Sequence, residues 1–248
     1  MNIIKVKDYE ALSEKACEYL IDRIRAVEKT VLGLATGSTP EGLYKRLIEK
    51  YREGNVSFKD VTTFNLDEYV GLKKEDPNSY YYFMKDKLFN HIDVEMENVY
   101  LPKGVVADLE GECSEYERLI QTAGNIDVQI LGLGLNGHIG FNEPGTAFSS
   151  RTHIVELDAS TREANARFFD SIDEVPTQAI TMGIETIMES KEIVLLVSGE
   201  KKAEAVKQLI EGEVSEDFPA TVLRNHDKVT LIADEGALGK VGKSLLLK

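Results

Sequence analysis

The chain has 248 residues and a formal net charge of −14, a size that fits one large α/β domain or two small ones. The negative charge disfavours nucleic acid and anionic membranes as partners. The two cysteines, Cys17 and Cys113, provide neither a metal-ligand spacing nor a disulfide framework. Because neither an export signal nor a bilayer-length apolar run is visible, we expect a cytoplasmic protein.

Five nearly continuous apolar runs predict strands that are covered on both faces, as in a parallel sheet. In chain order they are Val31–Ala35, Val61–Leu66, Val128–Leu133, Ile193–Val197 and Val229–Ala233. Since the earliest of these runs starts at Val31, we expect the first strand there and no room for a DNA-binding module before it.

Three stretches have apolar residues at helical spacing, one before these runs and two between them. Their apolar positions are Leu12, Ala16, Leu20, Ile21, Ile24 and Val27; then Leu43, Leu47, Ile48 and Tyr51; then Ala203, Val206, Leu209 and Ile210. We expect the second helix to begin at a Thr39 N-cap followed by Pro40, and the third to end at Gly212.

The alternation of strands and helices predicts an open, mostly parallel, doubly wound α/β sheet with right-handed crossovers. Ligands of such sheets bind beyond the carboxyl ends of the strands. No linker or repeat divides the chain, so we assign residues 1–248 to a single domain. The least regular stretch, about 151–176, is predicted to fold over the sheet as a small lid.

The first candidate motif, Thr36-Gly37-Ser38-Thr39, lies between the first apolar run and a helix. Gly37 allows close backbone approach, and the two hydroxyls and the free N–H groups of a helix start suit a phosphate. An ordinary strand-to-helix turn explains the same residues equally well, so this motif alone does not decide between the two.

The second motif consists of Asp67 and Glu68, directly after the second apolar run. A carboxylate at the carboxyl end of a strand can reach the ligand crevice and act as a base. An isolated acid at such a place is nevertheless more often a solvated loop residue.

The third motif is the most specific, because four glycines, His138 and Glu143 follow the third run. Glycines allow the backbone N–H groups to approach a ligand. His138 can transfer protons near neutral pH, and Glu143 is close enough in sequence to orient its ring. A glycine loop without chemistry is the alternative interpretation.

Two cations complete the candidate set. Arg167 is flanked by apolar residues as if partly buried, and Lys202 follows the fourth run at the start of a helix. Each alone is more often a surface charge, and the helix start does not decide between Lys201 and Lys202.

Taken together and in this order, the motifs resemble those of the glucosamine-6-phosphate deaminase family over nearly the whole chain. The segments that carry the resemblance are Ala35–Pro40, Phe64–Leu72, Ser79–Tyr81, Asn136–Pro144, Ser149–Thr152, Ala164–Phe169 and Val175–Pro176. The resemblance implies an open α/β sheet of modified Rossmann type. It also implies conversion of glucosamine 6-phosphate to fructose 6-phosphate and ammonia without a metal or an organic cofactor.

The resemblance also implies a role for each motif. The histidine matching His138 opens the sugar ring, tuned by the positions that match Asn136 and Glu143, and the enolisation base matches Asp67. The family's phosphate-binding positions match Ser38, Thr39, Arg167 and Lys202, which favours Lys202 over Lys201. To these we add the neighbouring Thr36, Gly37 and Gly137 as substrate-binding residues.

Two positions depart from patterns found in the family. Many members carry aspartate where this chain has Asn136, and an amide stabilises the imidazolium of His138 less than a carboxylate does. Members activated by N-acetylglucosamine 6-phosphate carry cations where this chain has His153 and Val155. We therefore expect a monomer without an allosteric effector.

Two alternatives stay open at this point. A 6-phosphogluconolactonase has a similar fold and a similar Gly-His loop, although it needs no base at carbon 2, and the Phe64–Leu72 segment favours the deaminase. A sugar-phosphate-sensing domain of a transcription regulator can share the fold without catalysis, but the charge of this chain does not suit DNA.

Overall fold

A computed structural model describes residues 1–157, 162–163, 166, 169 and 171–242. Ten strands are found in this part of the chain. They are β1 (Asn2–Val6), β2 (Val31–Leu34), β3 (Thr62–Asn65), β4 (Asp67–Tyr69), β5 (Val99–Tyr100), β6 (Val128–Gly132), β7 (His153–Glu156), β8 (Gln178–Thr181), β9 (Glu192–Val197) and β10 (Val229–Asp234).

Seven of the strands form one sheet in the order β1-β10-β9-β6-β2-β3-β5. Every neighbouring pair in this sheet is parallel. From the adjacent strands β2 and β6 the chain continues outward in opposite directions, so the order reverses between them. The predicted doubly wound, mostly parallel sheet is confirmed, and its topological switch point lies between β2 and β6.

Six α-helices accompany the strands in the described part of the chain. They are α1 (Tyr9–Ala26), α2 (Ser38–Arg52), α3 (Tyr80–Lys87), α4 (Leu109–Thr122), α5 (Ile184–Met188) and α6 (Ala203–Glu211). Within the described ranges, no helix is both long and apolar enough to cross a bilayer.

The core consists of two apolar layers, one on each face of the parallel sheet. Along β9, Ile193 and Leu195 pack into the layer that contains α4 and α6, whereas Val194 and Leu196 pack into the layer that contains α1 and α2. Successive side chains of a strand point to opposite faces. A strand buried on both sides is therefore apolar throughout, as the sequence pattern predicted.

The other three strands form a small antiparallel sheet in the order β4-β8-β7. Strand β4 starts two residues after β3 ends, so this sheet is attached at the carboxyl edge of the large one. The predicted lid, about 151–176, begins with β7. Much of its remainder lies outside the described residues, and the assignment of one domain stays a prediction.

The structure corrects three details of the sequence interpretation. The first strand is β1, not the run at Val31, and α1 follows it. The helix α2 starts at Ser38, so its N-cap is Gly37, with φ of 93°, rather than Thr39. Only glycine adopts such an angle without strain, and this allows the helix to begin earlier. Val27 is the exposed C-cap of α1 rather than part of its buried face.

Candidate active site

The described candidate residues lie just beyond the carboxyl ends of four neighbouring strands. The Thr36–Thr39 turn follows β2, Asp67 follows β3, the His138 loop follows β6, and Lys202 follows β9. These strands are adjacent in the order β9-β6-β2-β3. Parallel strands end at one edge of a sheet, so the residues share the crevice at the switch point.

Three side chains of the loop after β6 form a hydrogen-bonded chain. The Asn136 amide Nδ2 donates to Glu143 Oε2 at 2.6 Å, and Asn136 Oδ1 lies 2.8 Å from His138 Nδ1. The His138 backbone N–H also donates to Asn136 Oδ1. Glu143 Oε2 is 3.5 Å from His138 Nδ1. Glu143 thus acts on the ring mainly through Asn136, not through the direct hydrogen bond that the sequence spacing suggested.

The partners of Asn136 determine its orientation and the tautomer of His138. An ionised carboxylate only accepts hydrogen bonds and a backbone N–H only donates, so Nδ2 must face Glu143 and Oδ1 must face His138. The Oδ1 atom then requires a proton on His138 Nδ1. The neutral ring therefore has its lone pair on Nε2, where it can accept a proton from a ligand.

Two glycines make this loop geometry possible. A Cβ atom at residue 134 would lie 2.4 Å from His138 Nδ1, so Gly134 lets the imidazole lie directly over the backbone. Gly137 has φ of 85°, and a Cβ there would lie 2.4 Å from the ring of Phe218. We therefore attribute these glycines to packing and backbone conformation.

Asp67 is buried at the start of β4, with 7% of its surface exposed. Burial, reinforced by the neighbouring charge of Glu68, raises the pKa of Asp67 to about 8. Its Oδ2 is 3.6 Å from the position that a Cβ would take at Gly140, so the carboxyl group adjoins the loop that carries His138. A carboxyl group with this pKa can take up and release a proton near neutral pH.

Three aromatic rings pack together close to Asp67. Tyr69 contacts the rings of Tyr80 and Phe141, with centroids 4.8 and 5.9 Å away. Tyr80 in turn stacks on Phe141 at 6.2 Å with an interplanar angle of 9°. This cluster joins β4, α3 and the loop after β6, and it lies near Asp67, whose charge acts on the phenols of Tyr69 and Tyr80.

The start of α2 has a glycine as its N-cap. Gly37 contributes no side-chain hydrogen bond to the helix, and a Cβ at this residue would meet open space. The Tyr9 hydroxyl lies 2.8 and 3.0 Å from the carbonyl oxygens of Ser38 and Thr39, which share its proton, and it accepts the N–H of Gly42, so it holds the first turn in place. Uncapped N–H groups at a helix start attract phosphate.

Lys202 is half-buried while Lys201 is exposed. The Lys202 ammonium donates to the carbonyl oxygen of Leu133 at 2.5 Å, immediately before the glycine loop. Burial lowers the pKa of Lys202. Lys202 thus points toward the crevice, as the resemblance implied. Arg167 lies outside the described residues.

Sequence reasoning missed residues that support the site from distant parts of the chain. The Thr181 Oγ1 atom accepts the Phe141 N–H at 3.1 Å, and Asn142 Nδ2 donates to the carbonyl oxygens of Ile139 and Met182. Asp234 accepts hydrogen bonds from the hydroxyl of Ser198 and the N–H of Gly199, close to Lys202. Nothing near these residues in sequence marks them as partners.

The arrangement combines two proton-transfer groups with an anion-binding edge. The described part contains a buried carboxyl group, an imidazole with a free Nε2, an uncapped helix start and an inward-pointing lysine. This set can bind a small phosphorylated molecule and move protons on its carbon skeleton.

Comparison with known proteins agrees with this chemistry. Residues 7–232 match the sequence model of the glucosamine-6-phosphate isomerases/6-phosphogluconolactonase family. The glucosamine-6-phosphate deaminase of Oceanobacillus iheyensis is 60% identical over 238 residues, which cover 96% of this chain and 95% of the relative. Glucosamine-6-phosphate deaminase 1 of Bacillus subtilis is 53% identical over 237 residues, with 96% and 98% covered.

Solved structures show the same relationship. A monomeric glucosamine-6-phosphate deaminase matches with a TM-score of 0.95 and 52% identity over 97% of this chain and 100% of its own. The 6-phosphogluconolactonase of Thermotoga maritima matches with a TM-score of 0.75 and 19% identity over 94% and 99%, which shows a shared fold. The chain therefore belongs to the family of glucosamine-6-phosphate isomerases and 6-phosphogluconolactonases.

Proposed function

We propose that the chain is a glucosamine-6-phosphate deaminase, which converts glucosamine 6-phosphate and water to fructose 6-phosphate and ammonia. The observation that carries the proposal is the buried carboxyl group of Asp67 beside the His138 loop. A lactonase has no use for a base at carbon 2. Near full-length identity of 53–60% to named deaminases supports the same choice.

Ring opening is assigned to His138. Its Nε2 accepts the proton of the anomeric hydroxyl and delivers it to the ring oxygen, which breaks the ring bond and leaves an aldehyde at carbon 1. Asn136 keeps the other ring nitrogen protonated, and Glu143 holds Asn136 in place. These two residues thus set the tautomer that the step needs.

Isomerisation is assigned to Asp67. The aldehyde acidifies carbon 2, and the ionised carboxylate removes that proton and returns it to carbon 1. Removal of the carbon-2 proton, with addition of a proton to the aldehyde oxygen, gives an enolamine. Addition of a proton to carbon 1 and loss of one from the nitrogen then leave a hydroxyl at carbon 1 and a ketimine at carbon 2. Water adds to the ketimine and ammonia leaves, which yields the ketose. These residues require neither a metal nor an organic cofactor for any step.

The substrate phosphate is assigned to the edge formed by the start of α2 and Lys202. The Ser38 and Thr39 hydroxyls and the free N–H groups supply donors, Thr36 and Gly37 shape the turn, and Gly137 borders the sugar. Arg167 is proposed as a further phosphate ligand because its position matches the family's. Local donors of this kind allow a chain with a net charge of −14 to bind an anion.

The decisive experiment incubates the purified protein with glucosamine 6-phosphate and measures ammonia and fructose 6-phosphate independently. We expect both products in equal amounts. A parallel assay offers 6-phosphogluconolactone, whose hydrolysis releases acid only. Rapid lactone hydrolysis without ammonia release would assign the chain to the other branch of its family.

Replacing Asn136 with aspartate is expected to leave an active enzyme whose acidic pH–rate limb becomes steeper and lies at higher pH, because both His138 and Asp67 must lose a proton for activity. The new carboxylate would face His138 Nδ1 directly and stabilise the protonated ring more than an amide oxygen does. The measurement is kcat/KM from about pH 5 to 9. Asn136→Ala is the comparison, because it removes the contact without adding charge. An unchanged limb in Asn136→Asp would show that residue 136 takes no part in ring opening.

We further propose a cytoplasmic monomer that N-acetylglucosamine 6-phosphate does not activate. Arg151, the cation nearest to His153 and Val155 in sequence, forms ion pairs with three glutamates. Its guanidinium lies 2.5 Å from Glu189, 3.3 Å from Glu185 and 3.5 Å from Glu117. Three carboxylates around one cation leave little positive potential for a phosphorylated effector. The solved relative that is described as monomeric supports the same oligomeric state.

The corresponding prediction concerns the saturation curve. Initial rates should follow a hyperbola in glucosamine 6-phosphate, with a Hill coefficient of about 1, both with and without the acetylated sugar phosphate. Light scattering under assay conditions reports the mass of the active species. A sigmoidal curve that turns hyperbolic when the effector is added would contradict the proposal.

A further inference from the structure

Glu68 is a buried acid that the proposed reaction does not use. Its exposed fraction is 3%, and it follows Asp67 directly on β4. Its carboxylate accepts three backbone hydrogen bonds, each of 2.9 Å. Glu68 Oε1 accepts the N–H groups of Tyr69 and Tyr80, and Oε2 accepts that of Tyr81.

These hydrogen bonds connect the strand that carries Asp67 to the start of α3. Tyr80 and Tyr81 are the first two residues of α3, and the N-cap Ser79 accepts the N–H of the third, Tyr82. The first N–H groups of a helix need partners from outside the helix. Glu68 supplies two of them from β4, so the position of the strand and that of the helix depend on one side chain.

The same connection reaches the His138 loop through the aromatic cluster. Tyr80 stacks on Phe141, and its hydroxyl lies 3.3 Å from that of Tyr69. A displacement of α3 would therefore change the packing around Asp67. The hydrogen bonds of Glu68 to α3 therefore also fix the positions of these rings.

Glu68 also places a charge beside the base. Burial raises the pKa of Glu68 to about 7, while the three N–H bonds oppose the rise. Glu68 is thus ionised in the range where Asp67, with a pKa of about 8, exchanges its proton. A like charge nearby disfavours the ionised form of a carboxyl group and makes it a stronger base.

The other charged and titratable groups around the pair do not replace this effect. The phenols of Tyr69, Tyr80 and Tyr116 lie near Asp67. They are neutral, because burial raises their pKa values. Around Glu68 lie Asp76 and the lysines of a cavity of about 130 Å³, which are Lys73, Lys74 and Lys103. Among the described residues, none of these lysines forms an ion pair with Glu68.

We propose that Glu68 is a positioning residue of this active site, which fixes β4 to α3 and holds a negative charge beside Asp67. The proposal rests on the proposed function, since it assigns Asp67 the role of the base. It predicts two separable effects of Glu68, one on geometry and one on the basicity of its neighbour.

The test compares the pH dependence of kcat/KM in Glu68→Gln and Glu68→Asp. Glutamine keeps the size and removes the charge, so the acidic limb should move to lower pH by at least ~1 unit. At high pH its rate should be lower, because a weaker base removes the carbon-2 proton more slowly. Aspartate keeps the charge but shortens the reach, so its limb should stay near that of the wild type while kcat falls.

Glu112→Gln is the matched control. Glu112 is also a buried acid that accepts a backbone N–H, from Lys103 at 3.0 Å, but it lies on α4 and outside the proposed machinery. The acidic limb of the Glu112→Gln variant should coincide with that of the wild type. A Glu68→Gln enzyme that loses activity with an unmoved limb would overturn the proposal, because a merely structural role predicts that result.

A second measurement does not depend on turnover or on the folding of Glu68→Gln. In wild-type protein with ¹³C-labelled aspartate carboxyl groups, the Asp67 signal is identified by its loss in Asp67→Asn. We expect its titration midpoint at about 8, and a midpoint near 3.8 would overturn the proposal. Failure of the deaminase proposal appears separately, as wild-type protein that titrates in this way but releases no ammonia.

Discussion

The Asp67→Asn variant should lose between about a hundredfold and ten-thousandfold in kcat while KM for glucosamine 6-phosphate changes little. Asparagine has the shape of aspartate, so the bound sugar keeps its place. The amide cannot accept the carbon-2 proton, so the transition state loses its base. Release of ammonia and fructose 6-phosphate is the measurement, and near-normal turnover would remove Asp67 from this role.

The stability of this variant supplies an internal control. The pKa of Asp67 is raised from 3.8 to about 8 in the folded protein. Between these values the folded state binds a proton that the unfolded state releases, so the contribution of Asp67 to stability falls as pH rises through this window. Asparagine avoids that loss, and we expect a Tm at pH 8 equal to or above that of the wild type. An inactive variant with a lower Tm would indicate misfolding rather than loss of the base.

Sequence reasoning predicted the strands whose two faces are both buried. β2, β3, β6, β9 and β10 are almost entirely buried, because each lies inside the parallel sheet with apolar layers on both faces. The pattern of apolar runs could not reveal β1, an edge strand with exposed residues, or β5, which has only two residues. In the small sheet, β4 pairs with β8 across more than a hundred residues, and no local pattern records such pairing.

The site was predictable where chemistry depends on residue type and position at a strand end. Asp67 and His138 were singled out in this way, because the carboxyl ends of parallel strands meet at one edge. The choice of Lys202 over Lys201 came from the family resemblance instead. The connection between His138 and Glu143 could not be predicted from the sequence, since it passes through the amide of Asn136. The orientation of that amide is set by donors and acceptors on both of its sides, which sequence spacing does not determine.

Support from distant segments also escaped prediction. Glu68 reads as a second acid beside Asp67, yet its carboxylate is committed to N–H groups at the start of α3. Similarly, Gly37 rather than Thr39 caps α2, because a positive φ lets the chain turn into the helix directly. In both cases the backbone, not the side-chain chemistry, decides the role.

Lys202→Met should raise KM for glucosamine 6-phosphate by roughly 10- to 150-fold, because loss of a charge-assisted hydrogen bond costs about 1.5–3 kcal/mol. Methionine keeps the apolar part of the half-buried side chain, so the expected loss is that of the ammonium alone. Asp234 should continue to hold the turn after β9 through Ser198 and Gly199. The measurement is a full saturation curve at constant ionic strength.

Lys201→Met is the matched control, since Lys201 precedes Lys202 in the same turn but is exposed. The control should retain the wild-type KM, because an exposed charge is solvated and screened by salt. Inorganic phosphate provides a second readout, since it should inhibit the wild type and the Lys201 variant competitively and the Lys202 variant much less. Equal KM values and equal phosphate inhibition in both variants would place the substrate phosphate away from Lys202. The start of α2 would then have to bind it without a lysine.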